Sequence, residues 1–283
     1  AAALTLPAAA SAMTGDKEVQ RFTSFGGACA KCELAGRRLA GAHFIGANFA
    51  GASLVGADLR EARFVGSVLS KADLSRADLS EAHMTGANFA SANLTGAKMR
   101  DVEASGTVFS SANLSGVDLA DSRAIGANFN GAILTGATFT DANLQGAVFR
   151  SVNARGANFR DASLQATNFG GGRLDRASFR SADLTGAVLR GGSFRGADFH
   201  DADLEHANLS GADLSGARGL EQSQLSAACG DAQTKLPRGL TVRTCRGGHS
   251  IAVKIPKIPP APAVPALKPA QPGPRYLIVF ETD

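Results

Sequence analysis

Every fifth residue from Leu34 to Leu214 is large and apolar, or in three places alanine: the 37 positions hold 19 Leu, 13 Phe, two Met (Met84, Met99) and three Ala (Ala104, Ala124, Ala154). Two residues earlier, 26 of the 37 positions are Ala, and two residues later 21 are Gly. A period of five belongs neither to a helix nor to a strand. It suits a short extended edge followed by a turn. A large and a small residue two apart face the same side of extended backbone, and glycine reaches the positive φ of a tight turn without steric cost. The frame does not slip across these 181 residues, so no loop interrupts them.

A second period of twenty overlies the first. The central residues of the class 34, 54, 74 to 214 are Leu at eight of ten positions, and those of the class 49, 69, 89 to 209 are Phe at six of nine. In the latter class the preceding residue alternates from Asn48, Val68 and Asn88 through to Val188 and Asn208. Twenty residues therefore make one coil of four faces. About nine coils stacked at about 4.8 Å predict an all-β rod roughly 43 Å long, each coil burying its apolar side only against its neighbours.

The unit A-[DN]-[LF]-x-x, present as Ala72-Asp73-Leu74, Ala87-Asn88-Phe89 and Ala202-Asp203-Leu204, resembles the pentapeptide-repeat family. The resemblance implies a right-handed quadrilateral β-helix and says almost nothing about function. The chain then divides into a signal-peptide remnant (1–12), an N-terminal cap (13–33), the β-helix (34–217), a C-terminal cap with a short helix (218–250), a Pro-rich linker (251–274) and a β-prone end (275–283). Within the second cap, Gly219–Cys229 has helical composition, Leu220 and Leu225 can cover an open end, and residues 236–242 read as a turn and a short strand. This run is similar to the C-terminal cap of some bacterial members of the family.

Charge adds little to this picture until it is divided by region. Residues 34–217 carry 17 basic and 18 acidic side chains, whereas residues 218–283 carry nine against four, so the net +4 resides in the tail. At the start, an apolar run ending in Ala10-Ser11-Ala12 reads as the back half of a signal peptide. The expected location is periplasmic or extracellular; the alternative is translation from Met13. No segment has 18 consecutive apolar residues. The eight prolines between Ile255 and Pro274 mark an extended spacer. Residues 275–280 could add a strand to an edge, or simply fold back on the cap.

The four cysteines are Cys29, Cys32, Cys229 and Cys245. Two pairs at opposite ends of the rod, some 40 Å apart, cannot share one zinc ion, whose thiolates lie at about 2.3 Å. Two local disulfides are the expectation, with free thiols as the alternative.

Outward columns can be read from the twenty-residue period. On the face centred on Leu39, Leu59 and Leu79, the position two residues later reads Glu61, Glu81, Asp101, Asp121, Asp141, Asp161, Ser181 and Asp201. With Asp58, Asp78, Asp118 and Asp198, this face holds 11 of the 18 acidic residues of the repeat. Arg38, Arg60, Lys98, Arg100, Arg160 and Arg180 share it. Unit charges about 4.8 Å apart repel by about 0.9 kcal/mol even in water, which favours a cation or a basic partner. The alternative is that acids merely replace Gly at turn corners. The Asn/Val face is nearly uncharged and reads either as a partner surface or as turn chemistry.

Catalysis finds little support. His43 and His83 stand two coils apart with Arg63 between them, His200 and His206 lie among carboxylates on a convex surface, and no phosphate loop or serine elbow occurs. The expectation is a non-enzymatic scaffold without cofactor, nucleic acid or transmembrane segment, presenting flat faces to a protein partner; homodimerisation is left open. The alternative, also implied by the family, is a DNA mimic that binds gyrase. Such proteins are strongly acidic and dimeric, and the near-neutral body of this chain departs from that pattern.

Overall fold

The structure, a computed structural model, describes residues 27–245. The signal-peptide reading, most of the N-terminal cap, the Pro-rich linker and the β-prone end lie outside the described residues.

Each ladder residue pairs in parallel with the residue twenty positions on, from Ala28↔Asn48 to Asp198↔Arg218, and the same ladder continues into the cap through Asn208↔Cys229 and Asp213↔Lys235. A face contributes one ladder residue between two turns. Among the described residues regular strands therefore occur only in the cap, where β1 (Cys229–Gly230) pairs in parallel with β2 (Arg243–Thr244). The β character of the rod lies in its hydrogen bonds. In the unit Asp73–Ala77, Asp73 N–H donates to Ala52 O (2.9 Å), Leu74 N–H to Asn93 O (2.7 Å), Arg76 N–H to Thr95 O (3.0 Å) and Ala77 N–H back to Leu74 O (3.0 Å). The remaining donor, Ser75 N–H, reaches Asp73 Oδ1 at 2.9 Å. All five N–H groups of the unit are satisfied, as close-packed backbone requires.

The core is a set of columns. Ala residues two before each central position are almost fully buried, as are the central residues of the inner coils. The rings of Phe89, Phe109, Phe129, Phe149 and Phe169 stack at 4.7 to 5.4 Å. A second pile, Phe139, Phe159, Phe179 and Phe199, grows from the opposite face at 4.9 to 5.1 Å. The two piles meet edge to face, as in Phe139–Phe149 at 5.9 Å and 89°, the arrangement ring quadrupoles favour. Every corner from residue 31 to residue 216 places its second turn residue at positive φ, 54° to 68°, whether that residue is glycine or not.

Among the described residues the ladder already includes Ala28, ahead of the expected start at residue 34, so Cys29 and Cys32 belong to a coil of the rod. At the other end the helix is a single turn, α1 (Gln222–Leu225), with a reciprocal capping box between Glu221 and Gln224. Gln224 Nε2 donates to Phe199 O and Ala202 O, both at 2.8 Å, tying the helix to the last coil. Leu225 is buried over the core and Leu220 packs against it. The turn falls at residues 238–239, within the expected range, and β2 at 243–244, just beyond it. Arg243 fastens this segment by donating to Ala227 O and Ala228 O.

Candidate functional site

Acidic side chains on the face centred on Leu39 fall into two kinds, set by their place in the five-residue unit. Asp58, Asp78, Asp118 and Asp198 occupy ladder positions, and each accepts a hydrogen bond from the backbone N–H two residues on, at 3.1 to 3.4 Å. These are Asx turns, in which the carboxylate serves the corner. Asp58 also takes two hydrogen bonds from Arg60, at 2.8 and 2.7 Å. That side-chain bond is the main reason its carboxyl is held below the ordinary carboxylate range.

Glu61, Glu81, Asp101, Asp121, Asp141, Asp161 and Asp201 stand on the corner itself, one per coil, exposed and at φ 56° to 61°. Ser181 holds the one neutral step among them. Asp121 pairs with Arg100 at 2.6 Å and Asp161 with Arg160 at 2.9 Å. For Glu61, Glu81, Asp101, Asp141 and Asp201, no ion pair or side-chain hydrogen bond is found among the described residues. Neighbouring cations are engaged with the ladder acids instead: Arg60 with Asp58, and Lys98 with Asp78 at 3.6 Å.

Turn chemistry accounts for part of this column. Asp tolerates positive φ better than most residues, but Glu has no such preference. The other three corner columns have the same backbone and no acid. One is Gly apart from Arg76 and Arg176, a second is Gly apart from Ala166 and His206, and the third mixes Gly with Lys31, Lys71, Ser91, Ser111 and Ser151. The conformation permits acids at every corner, and the sequence places them at one. Among the described residues no three His, Cys, Asp or Glu side chains converge on a common point suited to a metal ion. The column is a line of separate charges.

The Asn/Val face resolves into local chemistry. Asn48, Asn88, Asn128, Asn168 and Asn208 each accept the N–H two residues on, at 2.9 to 3.0 Å. His43 and His83 sit on the ladder on either side of Arg63. His200 Nδ1 lies 2.5 Å from Asp198 Oδ1, and His206 Nε2 lies 3.1 Å from Glu205 Oε1. The cysteines are joined as Cys29–Cys32 and Cys229–Cys245.

One charged cluster escaped the column reading. Asp175 is buried, with Ser193 Oγ donating at 2.5 Å and Arg195 at 3.4 Å from the next coil. Burial opposes its ionisation, but the hydrogen bonds from Ser193 and Arg195 outweigh it and hold the carboxyl below its usual range. Asp175 and Arg195 are twenty residues apart, so reading opposite charges at that interval finds the pair.

Comparison with known proteins places this architecture. Residues 29–66, 62–101, 105–141, 142–180 and 182–218 match pentapeptide repeats. The solved structure of HetL, a pentapeptide repeat protein involved in heterocyst differentiation regulation from the cyanobacterium Nostoc sp. strain PCC 7120, is 29% identical, with a TM-score of 0.66 over 73% of this chain and 94% of that one. A pentapeptide repeat protein from the Arabidopsis thaliana thylakoid lumen is 35% identical over 38% of this chain and 70% of its own, with a TM-score of 0.29. QnrB1, a plasmid-mediated fluoroquinolone resistance protein, is 19% identical over 76% of this chain and 89% of its own, at a TM-score of 0.33. No curated protein sequence matches the chain. The four-sided ladder is thus the right-handed quadrilateral β-helix of these repeats.

Proposed function

We propose that this chain, which belongs to the pentapeptide-repeat family, is a non-enzymatic scaffold that presents one corner of its rod to a basic protein partner. The observation that carries the reading is that, of four corner columns sharing a single backbone conformation, one alone carries acids at its left-handed position among the described residues. Like charges at coil spacing repel, and only Asp121 and Asp161 of the column are ion-paired within the rod among the described residues. A partner carrying Lys or Arg at matching intervals would relieve that repulsion and draw steering from the same field. The reading includes an exported, oxidising setting, supported by the Ala10-Ser11-Ala12 box and by four cysteines placed as two local pairs.

The test neutralises Glu61, Glu81, Asp101, Asp141 and Asp201 together, to Gln or Asn, and compares capture from the exported fraction with wild type. A control variant replaces an equal number of acids elsewhere: Asp73, Glu103, Asp183, Asp203 and Asp213. Proteins that bind wild type and the control in a salt-sensitive manner should be lost from the corner variant. Equal capture by all three would remove the acidic corner as the interface. Fractionation of cells reports the compartment, and a mature chain found in the cytoplasm would overturn the exported setting.

A further inference from the structure

We propose that the Cys29–Cys32 disulfide is a thiol–disulfide exchange site, which accepts two electrons from a dithiol while the surrounding coil keeps its shape. Cys29 occupies the first interior position of the column continued by Phe49, and Cys32 the small position continued by Ala52. The four residues from Cys29 to Cys32 are a corner like all the others. Cys32 N–H donates to Cys29 O at 3.1 Å, while Cys29 N–H reaches Asn48 O at 2.7 Å and Lys31 N–H reaches Ala50 O at 3.0 Å. One coil on, the corner from Phe49 to Ala52 has the same bonds, with Ala52 N–H donating to Phe49 O at 2.9 Å, and no covalent link. Lys31 and Gly51 even share their φ within a few degrees, 60° and 66°. The backbone holds this turn without sulfur. The disulfide spans a geometry that persists when the bond is broken.

Access separates this pair from the rest of the column. Phe49 and Ala52 are 1% exposed, whereas Cys29 and Cys32, in the first described coil, are only half-buried. Cys229–Cys245 is a different kind of bond. It joins positions 16 residues apart, outside the five-residue frame, where the paired strands β1 and β2 are two residues each. Its cysteines are half-buried as well. Opening it leaves residues 231–245, which lie outside the repeat, held by the Asp213↔Lys235 and β1–β2 pairings and the Arg243 hydrogen bonds.

The exchange at the first coil balances in two steps. A thiolate of the dithiol attacks one sulfur of the pair; the Cys29–Cys32 bond breaks, a mixed disulfide forms, and the other cysteine leaves as thiolate and takes a proton from water. The second thiol of the reagent, losing its proton, then attacks its own sulfur in the mixed disulfide. It departs as an oxidised ring, and the attacked cysteine becomes a thiol. The dithiol loses two electrons, and Cys29 and Cys32 gain them. The partner is thus any accessible dithiol, protein or small molecule.

Native full-length protein titrated with dithiothreitol, then alkylated and analysed by peptide mass spectrometry, tests this. Cys29 and Cys32 should be alkylated at about tenfold lower reductant than Cys229 and Cys245. The selectively reduced protein should keep its melting transition, as should the Cys29→Ser/Cys32→Ser variant. The proposal is overturned if both disulfides reduce together, if Cys29–Cys32 resists until the rod unfolds, or if the double variant melts well below wild type.

Discussion

Inside the rod, Phe129, Phe149 and Phe169 stack at 4.7 and 4.9 Å with nearly parallel rings. On a neighbouring corner, Asp121, Asp141 and Asp161 repeat at the same twenty-residue interval. In both columns each residue faces a copy of itself. For phenylalanine this brings burial and dispersion; for aspartate it brings repulsion. The interior column is what the fold requires. In the outer one Arg100 and Arg160 offset Asp121 and Asp161, while Asp141 has no ion pair among the described residues.

The sharpest way to break that comparison is to remove one member of each column. Phe149→Ala, in the middle of its pile, is expected to cost about 3–5 kcal/mol through lost transfer energy and a cavity. Leu34→Ala, half-buried in the first coil, should cost clearly less; urea denaturation compares the two. Equal losses would mean that the pile does not act as a shared core. At the corners the signs should differ. Gly136→Asp imposes a side chain on positive φ (66°) and should cost about 1 kcal/mol. Asp141→Gly removes both that strain and two repelling neighbours, and should be neutral or stabilising by up to about 1 kcal/mol, read as melting temperature. A large loss there would give the acidic column a structural role and undo the proposed one.

The smallest effect is in pH dependence. Asp58, Asp175, Asp198 and Asp213 all have folded-state pKa values below the ordinary carboxylate value. A depressed pKa contributes stability that is complete above the unfolded value near 4 and fades as pH falls toward the folded one. Melting temperature should therefore hold on acidification to about pH 4 and decline below it. Asp175→Asn should flatten part of that decline, because it removes one of the depressed groups.

Much of this was legible in the sequence because five and twenty are periods of the backbone itself. The frame of Leu and Phe from 34 to 214 marks the interior, and the pairing of each ladder residue with the one twenty positions on follows from it. The chemistry of individual carboxylates was not legible. Asp78 and Glu81 look alike in a column count, yet Asp78 caps a backbone N–H at 3.1 Å while Glu81 projects from a left-handed corner. That distinction depends on where in the five-residue unit the acid falls. Asp175 is buried and bonded to Ser193 and Arg195 of the next coil, which a count of charges per column does not show. At the first coil the cysteines hid the repeat, since Cys29 and Cys32 stand where Phe or Leu and Ala stand elsewhere.

The absence of any loop between residues 28 and 218 makes the rod behave like a screw thread with two pitches. Removing twenty residues, such as 101–120, takes out one full turn: the rod shortens by about 4.8 Å and every outer column stays in line. Removing five, such as 101–105, leaves each interior slot with an apolar occupant but advances everything beyond it by a quarter-turn. Asp121, Asp141, Asp161 and Asp201 would then stand on a different edge from Glu61 and Glu81. Length and orientation can thus be dialled separately in this protein, and a set of such deletions, assayed for partner capture, would report whether the partner reads the acids as one line or as two.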